Sequence, residues 1–171
     1  MTHLYTGDGK GKTSSAVGLA VRAYGQGLKV LFVQFLKGSP TGEIATFDAL
    51  GIQVIRLSHP CGFWGSLGAG ERKEIVDEHN AILRKVLWQL EKGRTPDLLV
   101  LDEFTYIYTT PMADRSLCDH VLSAARAREV EIVLTGRNPG SLVSQADYIS
   151  TISATRHPFA RGVPARRGIE Y

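Results

Sequence analysis

An α/β fold, with a mostly parallel central sheet and helices on both faces, is predicted by three features of this 171-residue sequence. Short apolar runs rich in β-branched residues alternate with stretches of helical periodicity, the rhythm of β-α-β units. A glycine-rich turn, Gly7 to Gly11, joins the first such run to the first helical stretch. The apolar run Leu98-Leu99-Val100-Leu101, entered at Asp97, ends in the acid pair Asp102-Glu103, which places carboxylates at the edge of a parallel sheet where ligands collect.

Taken in order, His3 to Thr6 reads as the first strand, and Thr6-Gly7-Asp8-Gly9-Lys10-Gly11-Lys12-Thr13-Ser14 as a phosphate cradle of the P-loop kind. Its glycines admit positive φ and close backbone approach, and the helix after it presents unpaired N–H groups and a positive dipole end to an anion. Gly7, Asp8, Gly9, Lys10, Gly11, Lys12, Thr13 and Ser14 are therefore the expected nucleotide-binding residues. Lys12 is spaced to reach the phosphates, and the Thr13 hydroxyl to ligate the Mg²⁺ that accompanies them. The common pattern G-x-x-x-x-G-K-[ST] needs glycine where Thr6 stands, so this loop is one residue short and carries an extra cation, Lys10. That combination favours binding of a nucleoside triphosphate over ordinary γ-phosphate hydrolysis.

Lys12 to Gln26 is a helix apolar on nearly every side, ended by Gly25 and Gly27. Leu28 to Leu36, interrupted only by Gln34, is the near-continuous apolar run of a central parallel strand. Lys37 to Glu43 is a turn-rich loop, followed by a short helix to about Leu50 and a strand at Ile52 to Leu57. Ser58 to Gly70 departs from the rhythm and sets the adjacent aromatics Phe63 and Trp64 in a glycine-punctuated loop. Gly70 to Lys92 forms one long amphipathic helix whose apolar face includes His79, read as a satisfied packing residue. Asp97 to Glu103 has the form of a Walker B segment, expected on a strand adjacent to the cradle strand, with its acids suited to Mg²⁺. Ala113 to Arg128 is a helix and Val130 to Thr135 a strand. The Gly136-Arg137-Asn138-Pro139 turn follows, where Arg137 either touches phosphate or is a surface arginine. A short helix at Leu142 to Ala146, a last strand at Tyr148 to Ile152 and an aperiodic Gly/Pro/Arg-rich tail complete the chain.

The length fits one domain over residues 1–171, with 154–171 as an irregular tail. A composition of 43% apolar and 22% charged residues is ordinary for a soluble protein, and a net charge of +3 is too small and dispersed to argue for nucleic acid. Cys61 and Cys118 form neither a CxxC pair nor a zinc pattern, which fits a reducing cytoplasm. No apolar run approaches the ~20 residues of a membrane span, so no membrane association is expected.

Several segments together carry a family resemblance: the short cradle, Gln34-Phe35-Leu36-Lys37-Gly38, Glu43, the Phe63-Trp64 loop, Leu101-Asp102-Glu103, Leu134-Thr135-Gly136-Arg137, His157-Pro158-Phe159 and the terminal Gly168-Ile169-Glu170-Tyr171. Laid end to end, the chain resembles the P-loop ATP:corrinoid adenosyltransferases, the cob(I)yrinic acid a,c-diamide adenosyltransferase family. The short cradle is an expected feature of that family.

The resemblance implies a RecA-like P-loop NTPase fold in which Mg-ATP binds with its phosphates in reversed order. A Co(I) corrinoid then attacks C5′ of the ribose and expels tripolyphosphate. Lys12 and Glu103 would be the catalytic residues, Thr13 with Glu103 the Mg²⁺ ligands, and Phe63 and Trp64 the aromatics lining the corrinoid side. An external electron donor such as a flavoprotein would make Co(I), with homodimerisation left open. The alternative reading is a P-loop ATPase or switch in which Glu103 activates water against the γ-phosphate.

Overall fold

The computed structural model describes residues 1–62, 64–156 and 158–169, excepting the side chains of residues 159 and 160. Among them, strands β1 (Thr2–Thr6), β2 (Val30–Gln34), β3 (Gln53–Arg56), β4 (Leu98–Asp102), β5 (Glu131–Thr135) and β6 (Tyr148–Thr151) form one sheet in the order β3-β2-β4-β5-β1-β6. Every pairing is parallel. The helices are α1 (Lys12–Gly25), α2 (Gly42–Leu50), α3 (Ala69–Glu91), α4 (Phe104–Thr109) and α5 (Arg115–Arg126).

The helices cover both faces, as the sequence predicts. On one, Ala16, Ala20 and Ala23 of α1 and Phe47 of α2 pack on Val30, Phe32, Val100 and Val133. The alanines let α1 lie close on the sheet. On the other, Ile82, Leu83, Val86 and Leu90 of α3, Phe104 and Ile107 of α4, and Val121 and Leu122 of α5 meet Leu31, Val33, Leu99, Leu101 and Leu134. Strands β2 and β4 are buried along their whole length, which is why their sequences are almost uninterrupted apolar runs.

Three expectations are corrected. First, β4 is not adjacent to the cradle strand: β5 lies between β4 and β1. The cradle still meets β4 because α1 packs across the sheet onto that strand, carrying Thr13 in its first turn toward the end of β4. Second, α4 was unpredicted. Its segment Phe104-Thr105-Tyr106-Ile107-Tyr108-Thr109 is short and rich in β-branched and aromatic residues, a composition with no helical signature. Burial of Phe104, Ile107 and Tyr108 makes it a helix. Third, the short helix expected at Leu142 to Ala146 is a 3-10 segment at Gly140–Gln145, and β2 is shorter at each end than the run 28–36. Leu36 leaves the strand in the left-handed region, φ 62.

His79 is fully buried, its Nδ1 2.9 Å from the Met112 carbonyl oxygen. It is the satisfied packing residue that the sequence predicts, and burial holds its pKa below the ordinary value. Cys61 and Cys118 are unpaired thiols, and burial pushes Cys118 up to about 12. Among the described residues, no helix is long and apolar enough to cross a membrane.

Candidate active site

The polar residues of the site converge where the strands end. The cradle follows β1, Lys37 follows β2, Asp102 and Glu103 close β4, and Arg137 follows β5. This is the C-terminal edge of a parallel sheet, the edge at which such folds bind ligands.

The cradle is built against the backbone just beyond β6. Gly9 N–H donates to the Ile152 carbonyl at 2.8 Å, and a Cβ added at Gly7 would lie 2.3 Å from that same oxygen. Gly7 also has φ 100, and Gly11, which precedes α1, has φ 124. Only glycine fits the first position, for want of space, and both favour glycine for their backbone angle. Asp8, Lys10 and Ser14 are exposed around the loop, Gly9 is buried, and Thr13 is half-buried.

Lys12 is 8% exposed. Its ammonium donates to the carbonyls of Gly7 and Gly9, both at 2.8 Å, so it folds back into the loop whose phosphates it would otherwise meet. Burial lowers its pKa first and the nearby Arg137 second, opposed by Glu103, Asp8 and Asp102. Arg137 Nη2 donates to the Asp8 carbonyl at 3.3 Å. Arg137 therefore stands at the cradle rather than away from it. A hollow of about 230 Å³ opens beside it, lined by Thr6, Gly7, Asp8, Arg137, Asn138, Pro139 and Thr151. A larger hollow, about 450 Å³ between β3 and α3 around Trp88, lies toward the other edge of the sheet, away from these groups.

Helix α4 contributes to this edge. Thr105 Oγ1 donates to the Arg137 carbonyl at 2.6 Å, and a Cβ at Gly136 would lie 2.1 Å from that hydroxyl. The turn that carries Arg137 is thus seated directly on α4.

Asp102 is the centre of the acid end. It is fully buried, and its Oδ1 accepts the hydroxyls of Thr13 at 2.9 Å and Thr135 at 2.6 Å. Its Oδ2 accepts the Lys37 ammonium at 2.7 Å. Glu103 turns off the strand with φ 60, its N–H donating to Thr135 Oγ1 at 3.0 Å. Burial raises the Glu103 carboxyl pKa and Asp102 raises it further, against Lys37, Lys12 and Arg137.

Among the described residues, no three His, Cys, Asp or Glu side chains gather as a metal cluster. The chemistry of this end nonetheless fits Mg²⁺. That ion commonly takes one or two carboxylates and completes its shell with water and substrate phosphate. Here a carboxylate and a threonine hydroxyl already meet, a second carboxylate follows in sequence, and an ammonium stands against them. Gln34, paired in register with Asp102, keeps a buried Oε1 without a partner.

The sequence points to Glu103 and Thr13 but carries no signal for Asp102 as the group Thr13 contacts, or for Thr135 as the bridge between β4 and β5. Lys37 and Thr135 lay within the quoted Q-F-L-K-G and L-T-G-R segments, without a role. Phe63 lies outside the described residues. Trp64 is half-buried and packs against the main core, with the Arg72 guanidinium 5.3 Å from its ring centroid. The terminal Glu170-Tyr171 and His157 also lie outside the described residues.

A glycine cradle, its lysine and a threonine–aspartate contact at the C-terminal edge of a parallel sheet define a P-loop nucleotide-binding protein. The solved structure of the flagellar accessory protein FlaH from Methanocaldococcus jannaschii shares the fold, with a TM-score of 0.55 at 13% identity over 88% of this chain and 69% of that one. The family follows from sequence. The profile of the family described as ATP:corrinoid adenosyltransferase BtuR/CobO/CobP matches residues 1–171. The chain is 34% identical to the corrinoid adenosyltransferase of Pseudomonas aeruginosa, the match covering 98% of this chain and 82% of that protein. It is 33% identical to the corrinoid adenosyltransferase CobA of Salmonella typhimurium, over 98% and 84%. The chain belongs to the ATP:corrinoid adenosyltransferase family, and is by that membership an adenosyltransferase.

Proposed function

We propose that this protein transfers the 5′-deoxyadenosyl group of ATP to the Co(I) of a corrinoid, releasing tripolyphosphate, as a step of adenosylcobalamin synthesis or salvage. The observation that carries this reading is the family match over the whole chain together with a cradle one residue shorter than the hydrolytic pattern. Residues 1–171 would act as one domain.

In this reading Gly7, Asp8, Gly9, Lys10, Gly11, Lys12, Thr13 and Ser14 bind the triphosphate. The Lys12 ammonium leaves the Gly7 and Gly9 carbonyls for the phosphates, where it neutralises charge on the departing tripolyphosphate. Thr13 and Glu103, with Asp102, would hold Mg²⁺, which when bound would neutralise phosphate charge. Arg137, already at the Asp8 carbonyl, adds a further positive charge at the loop. Phe63 and Trp64 would face the corrinoid, where apolar bulk excludes water from the reduced metal. An external electron donor, such as a flavoprotein, would supply Co(I), and the cytoplasm is the compartment that fits.

The reading is tested by incubating the protein with ATP and a chemically reduced corrinoid. A light-sensitive Co–C product is expected. Its absence with a folded, ATP-binding protein would overturn the assignment.

A further inference from the structure

Lys37 stands where a divalent cation would be expected. Its ammonium lies 2.7 Å from Asp102 Oδ2 and 3.1 Å from Thr13 Oγ1, a carboxylate and a hydroxyl of the type that ligate magnesium. Asp102 is fully buried, with its other oxygen taken by two hydroxyls, and Lys37 supplies its ion pair. A buried carboxylate stripped of its counter-charge is strongly disfavoured.

The placement is enforced by the backbone. Leu36 turns off β2 with φ 62, and its N–H donates to His79 Nε2 at 3.4 Å. Arg56 Nε donates to the Lys37 carbonyl at 3.3 Å. Gly38 abuts the His59 carbonyl so closely that a Cβ would lie 1.7 Å from its oxygen. Held from several sides, the main chain aims Lys37 at the cradle, while its flexible stem leaves the ammonium free to swing.

A divalent cation on the same two oxygens would sit within a few ångströms of that ammonium, and like charges at such separations repel strongly in a partly buried site. Both cannot remain. Displaced from Asp102, the ammonium still has the Glu103 carboxylate nearby and the phosphates on the cradle as a further acceptor, since Thr13 belongs to both groups.

Resting on the adenosyl-transfer reading for what the triphosphate becomes, we propose that Lys37 is the resident cation of the magnesium position in the nucleotide-free protein. The metal–nucleotide complex displaces it, and it then contacts the triphosphate as a second lysine beside Lys12. Two consequences follow. Free divalent metal binds poorly because the position is filled, and metal and triphosphate enter together. The leaving tripolyphosphate also gains a positive contact that was held in reserve on Asp102.

The experiment uses the full chain with Lys37→Met and Lys37→Arg. Mn²⁺ is titrated into nucleotide-free protein by electron paramagnetic resonance, and tripolyphosphate is titrated in excess Mg²⁺ by calorimetry. Charge-assisted contacts of this kind translate into roughly tenfold to hundredfold in affinity. Lys37→Met should bind Mn²⁺ alone about tenfold tighter or more, and bind Mg-tripolyphosphate about tenfold weaker. Lys37→Arg, which keeps the charge, should hold Mn²⁺ affinity near the parent's. Parental or weaker Mn²⁺ binding by Lys37→Met overturns the proposal, as does unchanged tripolyphosphate affinity or a rise in Mn²⁺ affinity shared by both variants.

If Lys37→Met fails to fold, the parent protein labelled with ¹⁵N-lysine decides. The Lys37 ammonium resonance, assigned by its loss in Lys37→Arg, must move when Mg-tripolyphosphate is added, and an unmoved resonance overturns the proposal. None of these readouts needs turnover. ADP as the product of ATP would overturn adenosyl transfer and leave the Mn²⁺ result standing.

Discussion

Thr135 Oγ1 donates to Asp102 Oδ1 at 2.6 Å and itself accepts the Glu103 N–H at 3.0 Å. One hydroxyl on β5 therefore fixes both acids at the end of β4, across the strand boundary that separates them from the cradle. Thr135→Val keeps the shape, leaves the Glu103 N–H unsatisfied and removes one donor from a buried carboxylate. Such losses typically cost about 1–3 kcal/mol. Urea unfolding should show a loss of that size with an unchanged slope, and an unshifted midpoint would mean that the bridge contributes nothing.

The cradle lysine gives the second prediction. Lys12→Ala removes a group that now bonds two loop carbonyls and that in the proposed reaction follows the departing phosphates. Contacts to a charged group contribute about 1.5–3 kcal/mol, so kcat/KM for ATP should fall by roughly one to two orders of magnitude or more. Parental kinetics in a folded variant would place Lys12 away from the phosphates.

Glu103 supplies a third, with a sign that separates stability from function. Its carboxyl is raised above the ordinary 4.5, by burial first and Asp102 second. The folded state therefore holds the proton more tightly than the unfolded chain does, and stability falls as pH rises from that ordinary value through the folded one. Glu103→Gln abolishes the penalty. The variant should melt higher than the parent at pH 7, with the difference shrinking toward pH 4, while needing more Mg²⁺ for half-maximal turnover. Identical Mg²⁺ curves would count against a ligand role, and a pH-independent difference in melting would count against the raised carboxyl pKa.

Trp64 carries the fourth. It packs on the core beneath Arg72, so Trp64→Ala should lower the melting temperature modestly while sparing ATP affinity. If the ring also faces the corrinoid, turnover should fall most when the substrate is offered as Co(II) with a biological reductant, and recover with pre-reduced Co(I). An equal loss under both regimes would leave Trp64 as a loop anchor alone.

The parts of this protein that were legible in the sequence are those made by contiguous residues. Seven neighbours from Gly7 to Thr13 make the cradle, because phosphate is held by successive backbone groups, and the buried strands β2 and β4 announce themselves as apolar runs. The Lys37, Asp102, Thr135 and Thr13 cluster was not legible as a unit. Its members come from three strand ends and a helix start, and their meeting depends on β5 lying beside β4 and α1 crossing over it. Helix α4 was hidden for a different reason: its residues favour strand locally, and tertiary burial overrides that preference.

The central claim is that ATP is opened at C5′ rather than at the γ-phosphate. Phosphorus NMR of a turnover mixture containing the protein, Mg-ATP and a reduced corrinoid tests it most directly. Tripolyphosphate should accumulate in step with the light-sensitive alkylated corrinoid. Stoichiometric ADP and inorganic phosphate would contradict it and make Glu103 the base of an ATPase.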